Sequence, residues 1–220
     1  MTTKALTGRD IAEAGLTGWA FIQDYGLFRL ETRIQTGSYS ASLQLVAALG
    51  AAAEEVGHQA DFDVRGSRVD VRLTSGYEAH GVTERDVTLA RRITSLAAAA
   101  GVELSCEGLS RLELALDVPD TAKTAPFWAA VLGREITSGD GWADVGDTGQ
   151  VLPMIWFQKS GSEEPRQRWH LDLWLNPDQV QPRIDAALAA GGTLVKGTTV
   201  ADPDGNMICL CSAKPDDGVI

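Results

Sequence analysis

The chain has 220 residues, 44% apolar and 22% charged, enough for one or two domains with cores of their own and ordinary for a globular protein. Its net charge is −11, split −3 over residues 1–105 and −8 over 106–220, and it has no basic run, which argues against nucleic acid as a partner because phosphate neutralisation supplies most of that affinity. Three cysteines (Cys106, Cys209, Cys211) without a Cys-x-x-Cys, no charged-then-apolar leader and no apolar run near the roughly 20 residues of a spanning helix suggest a reduced, cytoplasmic chain with no membrane partner.

In chain order, residues 7–15 are polar with sparse apolar positions and suit a short helix. Residues 19–23 and 27–34 alternate as half-buried strands do. Ser38 is placed to cap an Ala- and Leu-rich helix over 39–56. Residues 68–73, Arg-Val-Asp-Val-Arg-Leu, alternate strictly, so Val69, Val71 and Leu73 should face inward. Thr83-Glu-Arg-Asp86 resembles a capping box, with Asp in place of the usual Glu or Gln, and opens a helix over 84–100 that Gly101 ends.

Residues 101–110 are the best candidate linker, after which the pattern restarts. A strand over 112–118 puts Leu112, Leu114, Leu116 and Val118 on one face and Glu113, Ala115 and Asp117 on the other. A helix over 120–132 ends at Gly133, and short strands follow, the clearest at 151–158. A strand over 169–175 and a helix over 177–190 repeat the grammar. The turn Asp202-Pro-Asp-Gly-Asn206 precedes a last strand at 207–211. The first strands of the two repeats are about 58 residues apart, as in a duplicated βαβββ unit closing around a shared cup.

In the second half, residues 112–133, and Arg168-Trp-His-Leu-Asp-Leu together with Ala201-Asp-Pro-Asp-Gly-Asn206, resemble the two halves of a glyoxalase/bleomycin-resistance/dioxygenase (vicinal oxygen chelate) domain. Metal-dependent members hold a divalent cation from the cup strands. The resemblance places the ligand positions on Glu113, His170 and Cys209, the last normally a Glu. Glu, His and Cys can each ligate zinc, but a Cys suits Mg, Mn or non-haem iron poorly, and the expectation is no metal and no cofactor. Cys209 is then a small buried side chain, and His170 bonds within the cup, with Asp172 or Glu113 as partner. By strand alternation His170, Asp172 and Trp174 share the cup face, and Trp156 and Trp169 fall on or beside cup strands as binding walls or as core.

In the first half, Leu16-Thr-Gly-Trp19, Glu54-Glu-Val-Gly-His58-Gln-Ala-Asp61 and Gly81-Val-Thr-Glu-Arg-Asp86 follow one another in order. They resemble the Gly-Trp entry, the Glu-x-x-x-His-His-Pro-Asp motif and the segment opening the last helix of pterin-4a-carbinolamine dehydratases, a resemblance that covers about residues 5–100. Those enzymes dehydrate a 4a-hydroxytetrahydropterin with three histidines, which suit proton transfer near neutral pH. The positions fall on His58, Gln59 and Gly76, so one proton carrier is kept, together with the acidic Glu54 and Asp86. His80 lies four residues past Gly76 and could swing into its place; His58 could also be a structural histidine at a helix end.

The sequence therefore implies an α+β chain of two domains: a pterin-dehydratase-like sheet with helices at 1–103 and a paired βαβββ glyoxalase-like cup at 108–214. Dehydratase activity should be weak or lost, and the C-terminal cup should bind a small polar or aromatic metabolite; a pterin-like small molecule and a second copy of the chain are the partners the reading leaves room for. Three readings stay open: pterin chemistry in the first domain, chemistry in the cup, and a non-catalytic sequestering protein.

Overall fold

The strict alternation at residues 68–73 becomes a strand whose Val69, Val71 and Leu73 are fully buried. A computed structural model of the chain describes residues 4–107, 109, 114–147, 149–159, 171–174 and 177–211. It separates into two units, Met1–Arg111 and Leu112–Ile220.

The first unit runs α1 (Gly8–Ala14), β1 (Ala20–Asp24), β2 (Leu27–Gln35), α2 (Tyr39–Glu55), β3 (Asp61–Arg65), β4 (Arg68–Leu73), α3 (Glu84–Ala99) and β5 (Leu104–Ser105). The sheet order is β1-β2-β4-β3, antiparallel throughout. Leu45, Leu49 and Ala53 of α2 and Val87, Ala90, Ile93 and Ala97 of α3 pack with Leu30, Ile34, Val69, Val71 and Leu73 of the strands. Each large side chain so buried stabilises the unit by roughly 2 kcal/mol. The expected caps form: Ser38 accepts from Ala41 N, and Thr83 and Asp86 cap α3 reciprocally. Leu104 and Ser105, within the stretch read as a linker, instead pair with Ile34 and Arg33 of β2. They continue the edge that β1 leaves after Glu31, so the sheet reaches further along the chain than the sequence suggested.

The second unit is a βαβββ module written twice. The first copy is β6 (Leu114–Val118), α4 (Thr121–Leu132), β7 (Ile136–Gly139), β8 (Trp142–Val145) and β9 (Ile155–Lys159). The second is β10 (Leu171–Trp174), α5 (Pro177–Ala189), β11 (Thr193–Lys196), β12 (Thr199–Ala201) and β13 (Met207–Cys211). Both sheets have one topology, β6-β9-β8-β7 and β10-β13-β12-β11, with first and last strands parallel. Phe127, Trp128 and Val131 of α4 and Ile184 and Ala187 of α5 share one core with Val118, Phe157, Val200, Ile208 and Leu210. Gly192 lets the copies approach, since a Cβ there would lie 2.1 Å from the Phe127 ring.

One strand starts later than expected. Residues 151–154 precede β9, because the amides of Val151 and Leu152 donate to Asp147 Oδ2 at 2.8 and 2.9 Å and leave the ladder. Asp147 Oδ1 accepts from Gly149 N at 2.8 Å and meets Arg134 Nη1 at 2.5 Å. Burial alone would push the Asp147 carboxyl up; the amides of Leu152, Val151 and Gly149 and the Arg134 charge outweigh it and hold it below its ordinary 3.8.

A carboxylate with a depressed folded pKa adds stability that is complete above its unfolded value and disappears as pH falls through the folded one. The stabilising effect of Asp147 is therefore expected at neutral pH and lost progressively below about 3.8. Melting curves against pH should show Asp147→Asn well below the parent chain at neutral pH and converging with it in acid. A gap independent of pH would contradict the ionised role.

Candidate functional site

The site of the first unit is built where α2 stops. Gly57 adopts the left-handed conformation (φ 61°), and His58 N donates to Ala53 O at 3.0 Å, closing the helix end. Arg85 donates to Gly57 O, tying this turn to α3. His58 then meets α3 directly, its Nε2 lying 2.8 Å from Asp86 Oδ1. The side chains are 9% and 0% exposed, so the pair sits at the edge of the core.

Asp86 is also the third residue of α3 and the reciprocal member of the capping box with Thr83, and its two oxygens divide the work. Oδ2 accepts from Thr83 N at 2.8 Å, from Ser75 Oγ at 2.6 Å and from Thr83 Oγ1 at 3.1 Å. The Ser75 and Thr83 hydroxyls are themselves 2.8 Å apart. Oδ1 is left for His58. A carboxylate in the first turn is further favoured by the helix dipole.

The loop from Ser75 to Gly81 is closed by Ser75 N to Gly81 O at 2.9 Å and Gly81 N to Gly76 O at 3.1 Å. Gly76 has φ 81°, and no heavy atom lies within 4 Å of where its Cβ would be. His80 is exposed with φ 60° and makes no hydrogen bond or ion pair to a described residue, so it is not brought to His58. Gln59 and Glu54 are exposed; in the α2 end it is Glu55 that is paired, with Arg92 at 3.3 Å. Thr83 was readable as a cap, but Ser75 escaped the sequence, because a hydroxyl eight residues before Thr83 carries no signal until the loop closes.

In the second unit, Trp156 of β9 is half-buried between Ala115 of β6 and Asp144 of β8, while its neighbours Ile155 and Phe157 are buried in the core. Alternation therefore turns Trp156 to the face away from the helices. Cys209 is half-buried with Sγ 3.2 Å from Thr199 Oγ1, and its backbone is in register with Asp172. Trp174 is in register with Cys211. Glu113, Trp169 and His170 lie outside the described residues. A thiol beside a hydroxyl is not the oxygen-rich donor set that Mg, Mn or non-haem iron prefers, whereas a thiolate is an ordinary ligand of zinc. Leu171 and Leu173 pack against the core, as the register of that strand requires.

Among the described residues no helix is long and apolar enough to cross a membrane. The turn 202–206, buried at its two ends Asp202 and Asn206, is structural. Asp202 accepts from Asp204 N, Asn206 N, Asn206 Nδ2 and Trp128 Nε1 at 2.8–3.1 Å, and Asp204 accepts from Thr124 Oγ1 at 2.6 Å.

A helix-backed antiparallel sheet with an oriented His–Asp pair, followed by a doubled βαβββ module, defines a two-domain α+β protein of the dehydratase-plus-cup kind. The chain belongs to the family described as pterin 4 alpha carbinolamine dehydratase through residues 4–96, and carries a glyoxalase-like domain at 113–211. Proteins named "Putative pterin-4-alpha-carbinolamine dehydratase" from Nocardia farcinica and Aquifex aeolicus are each 36% identical, over 44% of this chain and 99% of theirs, and 37% and 77%. Among solved structures, a transcriptional coactivator/pterin dehydratase from Brucella melitensis is 26% identical, covering 43% of this chain and 99% of its own (TM-score 0.39). A glyoxalase-related enzyme from Fulvimarina pelagi is 17% identical over 48% and 89% (TM-score 0.40).

Proposed function

We propose that the first unit binds a reduced pterin-like ligand and dehydrates it weakly with His58 as its one proton carrier, while the glyoxalase-like unit binds a small polar or aromatic metabolite. The observation that carries the reading is the His58–Asp86 pair, a histidine held by a buried carboxylate that is itself held by Ser75 and Thr83. Dehydration of a 4a-carbinolamine breaks the C–O bond and forms a C=N bond: one proton goes to the departing hydroxyl, giving water, and one leaves the ring nitrogen. A single imidazole has to do both in turn, giving a proton and then recovering one, so its charge is unchanged over the cycle. Gln59 cannot share this work, and Gly76 leaves open space where the family framework has a third imidazole. Glu54 and Asp86 are the acidic members of the site, and His80 is a bystander in the adjoining loop.

For the cup, support comes from the doubled module and from Trp156 on the face away from the core. Glu113, His170, Asp172, Trp174 and Cys209 are the positions assigned to the same cavity, with no metal.

Calorimetric titration of the full chain with 7,8-dihydrobiopterin tests the first site. One molecule per chain is expected to bind, with affinity falling about tenfold in His58→Ala, a loss near 1.4 kcal/mol. Absence of binding, or binding untouched by the substitution, would overturn the reading.

A further inference from the structure

His58 has two ring nitrogens, and the protein commits one of them. Nε2 faces Asp86 Oδ1 at 2.8 Å. Nδ1 makes no hydrogen bond to any described residue, nor is it among the buried polar atoms left without a partner, so it retains access to solvent. We infer that Asp86 fixes His58 in the tautomer protonated on Nε2, which makes Nδ1 the nitrogen that exchanges protons with a ligand, and that Ser75 and Thr83 determine which Asp86 oxygen does the fixing. The inference rests on the reading of His58 as the retained proton carrier.

An ionised carboxylate only accepts, so the ring nitrogen facing it has to donate. In the neutral imidazole the lone pair then belongs to Nδ1, the nitrogen the protein leaves free. Taking a proton there gives an imidazolium that still donates through Nε2 to Asp86, so the contact survives both states of the cycle. Asp86 Oδ2 cannot compete for His58, because the Thr83 amide and the Ser75 and Thr83 hydroxyls surround it. Asp86, Ser75 and Thr83 are thus positioning residues.

The same donors determine what an amide would do in place of the carboxylate. In Asp86→Asn the buried Thr83 N–H still requires an acceptor, so the amide oxygen takes the Oδ2 place and the NH2 group faces His58. An NH2 donates, so Nε2 has to present its lone pair and the ring proton moves to Nδ1. The helix cap keeps its acceptor, and the tautomer inverts.

Long-range 1H–15N NMR of the full chain at alkaline pH, with His58 assigned by comparison with His58→Ala, reads this directly. The parent chain is expected to show a protonated Nε2 and a bare Nδ1, and Asp86→Asn the reverse. Retention of the Nε2 proton in Asp86→Asn would overturn the inference. Should that variant fail to fold, the unaltered chain still decides: a slowly exchanging Nε2 proton supports the Asp86 bond, and a rapidly exchanging one contradicts it. Added 7,8-dihydrobiopterin should shift Nδ1 more than Nε2, and the opposite order contradicts the assignment of the working nitrogen. Failure of the pterin to bind at all would refute the function proposed above, while the Asn exchange would still decide the tautomer.

Discussion

Asp202→Ala is expected to destabilise the glyoxalase-like unit by about 3 kcal/mol, lowering its melting temperature by roughly 12–20 °C in a unit of this size. The carboxylate is 3% exposed and accepts from four donors: the amides of Asp204 and Asn206, the Asn206 side chain and the Trp128 indole. Truncation leaves those donors, buried except for the part-buried Asp204 amide, with no acceptor, at about 1–3 kcal/mol for each buried one and less than additively, since the turn can admit water. The loss reaches both copies of the module, because Trp128 belongs to the first copy and Asp202 to the second. Asp202→Asn should fall between, since its oxygen can serve the two backbone amides while its NH2 group faces donors. Thermal unfolding followed by tryptophan fluorescence measures the effect. A loss below about 1 kcal/mol would show that the turn does not clasp the two copies together.

Much of this architecture is legible because short-range rules and tertiary packing agree. Alternation at 68–73 coincides with full burial of Val69, Val71 and Leu73, and the signals at Ser38 and Thr83 become caps. Where the sequence reading departs from the structure, a side chain captures backbone groups that a pattern cannot see. Asp147 takes the amides of Val151 and Leu152, so an apolar run that reads as strand becomes loop until Ile155. Its place between the third and fourth strands of the first copy matches that of Asp202 in the second, and superposing the repeats would have exposed it. The strand at Leu104–Ser105 is two residues long and shows no periodicity, so it is defined only by the edge of β2 that β1 leaves free. At the candidate site, the motif positions of His58 and Asp86 were readable, but their contact was not. Nor was the division of Asp86 between cap and histidine, which depends on Ser75 arriving from a loop closed by Gly81.

The larger functional effect concerns turnover. With one imidazole doing the work of three, dehydration is expected to run about 10²-fold or more below that of relatives keeping all three histidines. Gln59→His should recover part of the deficit with little cost in stability, because Gln59 is exposed. Gly76→His finds open space but has to adopt φ 81°, a strain of roughly 1–2 kcal/mol for an L-residue, so it should destabilise the unit even where it aids proton transfer. The most direct measurement is the rate of 4a-hydroxytetrahydropterin dehydration by the full chain beside its His58→Ala variant. The account predicts a small but measurable acceleration that vanishes with His58. Turnover matching three-histidine relatives, or a rate unchanged in His58→Ala, would contradict it.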